Sequence, residues 1–245
     1  MDSIFGSFGD LVATRPIEHL GCQDLSFGGQ LQPPLKVVED GGASGCGGKI
    51  WTAGELLCEY ILEKSPGNEL LGASLPKGGH ISKVLELGSG TGVVGLCVSL
   101  LAQQHHLSTD THISITDIGG LVPLMQSNID VNDVNGNTNA TELLWGEPLF
   151  KEYRDIDLVL AADCVYLEEA FPLLERTLLD LTDQEDSQPI VLMAYRRRRK
   201  ADRKFFQRIK HNFDVIEVSD FSRHSQYLKL RTHLFQLVRT HVHKQ

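Results

Sequence analysis

A mainly parallel, seven-stranded α/β sheet with helices on both faces, preceded by an N-terminal extension, is the fold that this 245-residue sequence predicts. Three observations carry that expectation. From residue 83 onward, short apolar runs alternate with segments of helical periodicity, the pattern of strand–helix units on a parallel sheet. Between the first run and the first helix stand three glycines at alternate positions, Gly88, Gly90 and Gly92, which allow a sharp turn and a close approach of ligand to backbone. Residues 156–162 are nearly all apolar, as a strand covered on both faces must be.

In chain order, residues 1–30 are rich in Gly, Ser and Asp with isolated Phe5, Phe8 and Phe27, and read as an extended lead-in. Pro33 and Pro34 open a candidate strand over 35–39. The glycine-dense loop at 41–48 is a candidate lid, since long loops of this kind are often functional. Residues 1–50 are therefore assigned to an extension with a lid-like loop, and 51–245 to one domain. Thr52, with Glu55 three residues later, predicts a capping box, and Leu56, Leu57, Tyr60 and Ile61 continue at helical spacing to about residue 64. Residues 65–80, with Pro66, Gly67, Pro76, Gly78 and Gly79, predict a loop.

The alternation then gives a strand over 84–87 and a helix to about residue 104. A strand over 112–116 and a helix over 121–132 follow, with Leu121, Leu124, Met125 and Ile129 on one face. Next come short strands over 141–144 and 156–162, a helix over 168–181 and a strand over 190–194. A basic helix over 200–210 turns Phe205, Phe206 and Ile209 inward, and strands over 213–218 and 233–238 close the chain as a late antiparallel pair.

Composition narrows the function. Hydrophobic residues make up 41%, enough for a full core, and the net charge of -9 disfavours a protein whose whole surface binds nucleic acid. No apolar run has transmembrane length and no secretory signal opens the chain, so membrane association is not expected and a cytoplasmic location is. The five cysteines, Cys22, Cys46, Cys58, Cys97 and Cys164, are odd in number and never at Cys-x-x-Cys spacing. Reduced thiols are expected rather than a zinc site or a disulfide framework, and no metal is expected.

In open α/β sheets a ligand sits beyond the carboxyl ends of the strands, where strand order reverses. The residues just past each strand are thus the candidates. Glu86, Gly88, Ser89 and Gly90 lie at the end of the first. A dinucleotide fingerprint does occur, as Gly90, Gly92 and Gly95, but it starts after the turn has begun. Asp117 ends the second strand and can accept two hydrogen bonds from ribose hydroxyls or cap the next helix; the glycine turn favours the ribose. Trp145, after the third, lines an adenine pocket or fills the core. Asp163 and Tyr166 follow Ala162 at the end of the fourth, where a reacting group is needed, although Asp163 could instead cap a helix.

The run Glu86-x-Gly88-x-Gly90-x-Gly92 resembles the first motif of class I S-adenosylmethionine-dependent methyltransferases. Trp51, that run, Thr116-Asp117, Leu144-Trp145-Gly146 and Ala162-Asp163-Cys164-Val165-Tyr166 occur in order. Together they resemble the methyltransferase-like 21 group of seven-β-strand protein-lysine methyltransferases, whose signature after the fourth strand is Asp-x-x-Tyr. The likeness covers about residues 50–180. Segments 3–9, 25–29 and 193–200 extend it toward one member that methylates translation elongation factor 1-alpha.

The resemblance implies a Rossmann-like sheet and S-adenosyl-L-methionine held by Trp51, Glu86, Gly88, Ser89, Gly90, Asp117, Trp145 and Ala162. It also implies a protein substrate; a monomer without a stable nucleic-acid partner is expected. Asp163 and Tyr166 then line the channel of the acceptor lysine. Cys164 invites a rival, the cysteine nucleophile of cytosine-5 methyltransferases, but lacks their Pro-Cys context. A methyltransferase of a small molecule or RNA, a nicotinamide enzyme and a non-catalytic nucleotide-binding scaffold are further alternatives. The basic block at 196–200, in an acidic protein, reads either as a solvated helix face or as a docking patch.

Overall fold

A computed structural model describes residues 25–40, 45–65, 81–104, 111–183 and 188–240. Expectations for residues 1–24, for the loop at 66–80 and for Cys22 and the Cys46 side chain lie outside them. Seven strands form one sheet: β1 (Lys83–Leu87), β2 (His112–Asp117), β3 (Thr138–Glu142), β4 (Leu158–Ala162), β5 (Ile190–Arg196), β6 (Phe213–Glu217) and β7 (Thr232–Arg239). Their order is β3-β2-β1-β4-β5-β7-β6. The first five run parallel, and β7 lies antiparallel between β5 and β6. The seven-stranded, mainly parallel expectation is met.

Strand alternation decides which layer each residue builds. Val84, Leu158, Leu160 and Leu192 join one buried cluster, under α1 (Thr52–Lys64), α2 (Val93–Gln104) and α3 (Val122–Asn132). Leu85, Leu87, Val159, Val191 and Met193 face the other, under α4 (Phe171–Thr182) and α5 (Asp202–Ile209). A short α6 (His224–Lys229), absent from the sequence expectations, places Tyr227 in the first cluster. No helix among the described residues is long and apolar enough to cross a membrane.

The structure corrects four expectations. Residues 35–39 are not a strand. Their polar groups are met by side chains of α3: Asn132 accepts from the Lys36 N–H at 2.9 Å and donates to the Lys36 carbonyl at 2.6 Å, and Asn128 does the same for Val38 at 2.6 and 3.1 Å. Leu31 and Leu35 bury their side chains in the core, so this lead-in adheres without sheet pairing. Thr52 is inside α1, whose N-cap is Trp51 with no side-chain capping bond. The third strand is Thr138–Glu142 rather than 141–144; its Asn and Thr residues lack an apolar signature because it pairs on one side only. The basic stretch turns helical only at Asp202, so residues 196–200 are the end of β5 and a loop, not a helix face.

Candidate active site

Strand order reverses between β1, which continues to β2, and β4, which continues to β5. Beyond their carboxyl ends lie most of the residues expected at the site. Gly88, Asp117, Ala162, Trp51, Trp145 and Tyr166 are half-buried there, at the ends of strands whose interiors are almost wholly buried.

The turn after β1 takes its shape from glycines at φ 59, 57 and 79°, namely Gly88, Gly90 and Gly92. Each is also a close contact. A side-chain carbon on Gly88 would stand 2.9 Å from Trp145 Cζ2 and 3.1 Å from Cys164 Sγ. One on Gly90 would stand 2.7 Å from the Gly47 carbonyl oxygen. The short 3-10 turn Gly45–Gly48, the end of the predicted lid, is thus laid against the glycine turn. Gly95 is explained by packing: a methyl there would meet Ile115 Cγ2 at 2.3 Å, so the late third glycine of the dinucleotide pattern is where α2 crosses β2.

Two carboxylates face this turn. Asp117 accepts from the Gly90 N–H at 2.8 Å and the Ile118 N–H at 2.7 Å, and its crowded surroundings push its carboxyl up to about 6. Glu86, 1% exposed, accepts from the Gly95 N–H at 2.8 Å; burial pushes it up to about 8. Ser89 ties the turn to β2, donating its N–H to the Thr116 carbonyl at 3.0 Å and accepting the Thr116 N–H at 2.9 Å. Asn128 donates to the Thr91 carbonyl at 2.9 Å.

Besides the Cys58 thiol on the Val93 carbonyl, the side chains bonded to the turn and the start of α2 include two carboxyl groups and a carboxamide. A site dominated by carboxylate acceptors suits a ligand with an ammonium, a sulfonium and ribose hydroxyls, and does not suit a pyrophosphate, which needs donors. The residues present fit S-adenosylmethionine.

Trp145 is held by the next residue: the Gly146 N–H donates to Thr177 Oγ1 at 2.8 Å, at φ 84°. Cys164 is a buried thiol donating to the Leu87 carbonyl at 3.1 Å, and burial raises its pKa, the opposite of an activated nucleophile.

Asp163 has φ 62° and a side chain 5% exposed. Its carboxylate receives both arms of the Arg198 guanidinium, Nη1 to Oδ1 at 2.7 Å and Nη2 to Oδ2, and the Arg196 N–H at 3.4 Å. The Arg198 guanidinium also lies 5.0 Å from the centre of the Trp51 ring, near which Lys49 Nζ stands at 5.8 Å. Tyr166 offers its carbonyl to Arg199 Nη2. Arg198, Arg199 and Lys49 were not singled out as site residues by sequence. Two of them were visible only as part of a basic block, and pairing across 35 residues has no local signal.

Residues 30–212 match the lysine methyltransferase family. The chain belongs to the lysine methyltransferase family. It is 58% identical to the protein-lysine N-methyltransferase EFM6 of Saccharomyces cerevisiae, over 98% of this chain and 100% of that one. It is 34% identical to EEF1A lysine methyltransferase 3 of Xenopus tropicalis over 75% of this chain and 74% of that one. Among solved structures, the CurJ carbon methyltransferase matches with a TM-score of 0.54 at 16% identity, covering 78% of this chain and 56% of that one, a likeness of fold. This lysine methyltransferase uses S-adenosylmethionine. Among the described residues no group of His, Cys, Asp and Glu could hold a metal ion.

Proposed function

We propose that this lysine methyltransferase modifies a lysine of translation elongation factor 1-alpha in the cytoplasm, acting as a monomer without a stable nucleic-acid partner. The observation that carries the substrate is the likeness to the Xenopus EEF1A lysine methyltransferase 3, joined to the likeness of segments 3–9, 25–29 and 193–200 to an elongation factor methyltransferase.

S-adenosylmethionine supplies a methyl group on a sulfonium, open to in-line attack by a neutral amine. The chain's residues divide the remaining work. Gly88, Ser89 and Gly90 give the cofactor a backbone surface, with Glu86 beneath the turn and Asp117 accepting from the ribose. Trp145 and Ala162 line the adenine side, and Trp51 covers the cleft. Asp163 and Tyr166 border the lysine channel, orienting the amine in line and excluding water. The amine arrives as ammonium and loses its proton to water along that channel. No covalent enzyme intermediate is required, which agrees with a Cys164 thiol packed against a carbonyl.

The test is methyl transfer from labelled S-adenosylmethionine, by the purified chain, into an extract of cells lacking it, with mass spectrometry of the labelled species. Label on a lysine of elongation factor 1-alpha is the expected result. Label on a different protein overturns the substrate but keeps the activity. Label confined to nucleic acid or small molecules overturns the reading.

A further inference from the structure

The β5–α5 loop enters the site more firmly than an exposed basic segment should. Asp202, 1% exposed, accepts the Tyr195 hydroxyl at 2.9 Å, the Arg198 N–H at 3.3 Å and the Arg199 N–H at 3.0 Å. The Arg197 N–H donates to the Arg231 carbonyl at 2.8 Å. The backbone around Arg198 is therefore pinned from two sides. From that support the Arg198 side chain reaches Asp163, in the β4 loop, and the Trp51 ring, at the start of α1. One guanidinium thus bridges three segments that approach the site separately.

Its geometry uses what only arginine has. Two parallel N–H bonds fix a carboxylate's plane as well as its place, and the guanidinium face stacks on an indole. Asp163 needs such fixing. It stands in left-handed backbone conformation just past a strand end, with no described side chain other than Arg198 bonded to its carboxylate. A carboxylate has about four acceptor sites. Arg198 uses two and the Arg196 N–H approaches a third, leaving one for an amine.

We propose that Arg198 is a positioning residue of this methyltransferase: it holds the Asp163 carboxylate and the Trp51 ring in one fixed arrangement around the acceptor lysine. The inference rests on the reading that Asp163 borders the lysine channel. Arg198 acts through Asp163, and its own charge is spent on that pair rather than on docking the substrate. Misplacing a group by about 1 Å costs on the order of a hundredfold in turnover, which sets the expected scale.

The experiment compares Arg198→Lys, Arg198→Ala, Asp163→Asn and the double variant Asp163→Asn/Arg198→Ala. Each is assayed for kcat and KM on the protein acceptor that the extract labelling identifies, and for S-adenosylhomocysteine affinity by calorimetry. Arg198→Ala should lower kcat about a hundredfold and Arg198→Lys about tenfold, since lysine keeps the charge but not the fork. KM and cofactor affinity should move far less. The double variant should be no slower than Asp163→Asn, because both changes break one unit. Multiplying losses in the double variant, or wild-type turnover in Arg198→Lys and Arg198→Ala beside an impaired Asp163→Asn, would overturn the inference alone. Wild-type turnover in Asp163→Asn would overturn the Asp163 reading and this inference with it. Should Arg198→Ala fail to fold, Arg198→Lys carries the kcat-against-KM comparison.

Discussion

At the scale of single residues, the glycine turn and its carboxylates make the sharpest predictions. Gly90 combines φ 57° with the Gly47 carbonyl 2.7 Å from where a side chain would begin. Gly90→Ala must move the turn or the neighbouring loop, and is expected to weaken S-adenosylhomocysteine binding at least about tenfold, measured by calorimetry, since strain at such positions costs roughly 1–3 kcal/mol. Asp117 gives a pH dependence. Burial raises its carboxyl to about 6, so below that pH the free protein holds a proton that ribose hydroxyls must displace. Below pH 6 cofactor affinity should fall about tenfold per unit on account of Asp117, a slope that Asp117→Asn removes and that is distinct from any titration of Glu86 near 8. Most of this was legible from residue type and order. Glu86, Gly88, Gly90 and Asp117 stand out in the sequence because a sharp turn at positive φ demands glycine and because the two acidic residues flank it at strand ends, where the structure has them bonded to the backbone of the turn and of α2. The Asp163–Arg198 pair was not legible, because the two partners belong to different strand–helix units and only the parallel pairing of β4 with β5 makes them neighbours.

At the scale of elements, legibility followed burial. The strands covered on both faces, β1, β4 and β5, carry continuous apolar runs and were placed within a few residues. The edge strand β3 is polar, and the lead-in at 35–39 is apolar yet unpaired; in both cases local composition points away from the tertiary partner that decides the outcome. Gly95 shows the same tension inside a helix. By propensity an alanine within α2 gains about 1 kcal/mol over glycine. Its methyl would fall 2.3 Å from Ile115 Cγ2 and 2.9 Å from Glu86 Oε2, both buried, and overpacking of that kind costs about 1–3 kcal/mol. The clash should prevail, so Gly95→Ala is expected to lower the Tm, as thermal unfolding would show; an unchanged or higher Tm would mean that α2 can slide on β2.

At the scale of the whole molecule, charge is unevenly used. The chain carries a net charge of -9, yet its basic block stands beside the site. Arg198 and Arg199 turn inward to Asp163 and Asp202. Arg197, Lys200 and Arg203 are exposed and make no ion pair among the described residues. They are the part of the block suited to steering an acidic protein surface toward the cleft. Replacing these three with glutamine should raise KM for the protein acceptor about tenfold at low ionic strength, with the difference closing as salt screens it. Cofactor affinity should stay unchanged, and a salt-independent KM would remove the docking role.

The place of β7 in the sheet bears on how the chain is made. Synthesis delivers β6 before β7, but among the described residues β6 pairs only with β7, and β5 lacks its outer neighbour until β7 slots between them. While the last strand is still in the ribosomal tunnel, a nascent chain therefore exposes the open edge of β5. That edge leads directly into the loop that carries Arg198. A premature stop just before Thr232 deletes one strand from the sequence but two from the sheet, and leaves Arg231, whose carbonyl supports that loop, without the strand that positions it. Such a product should be a quality-control substrate rather than a slower enzyme.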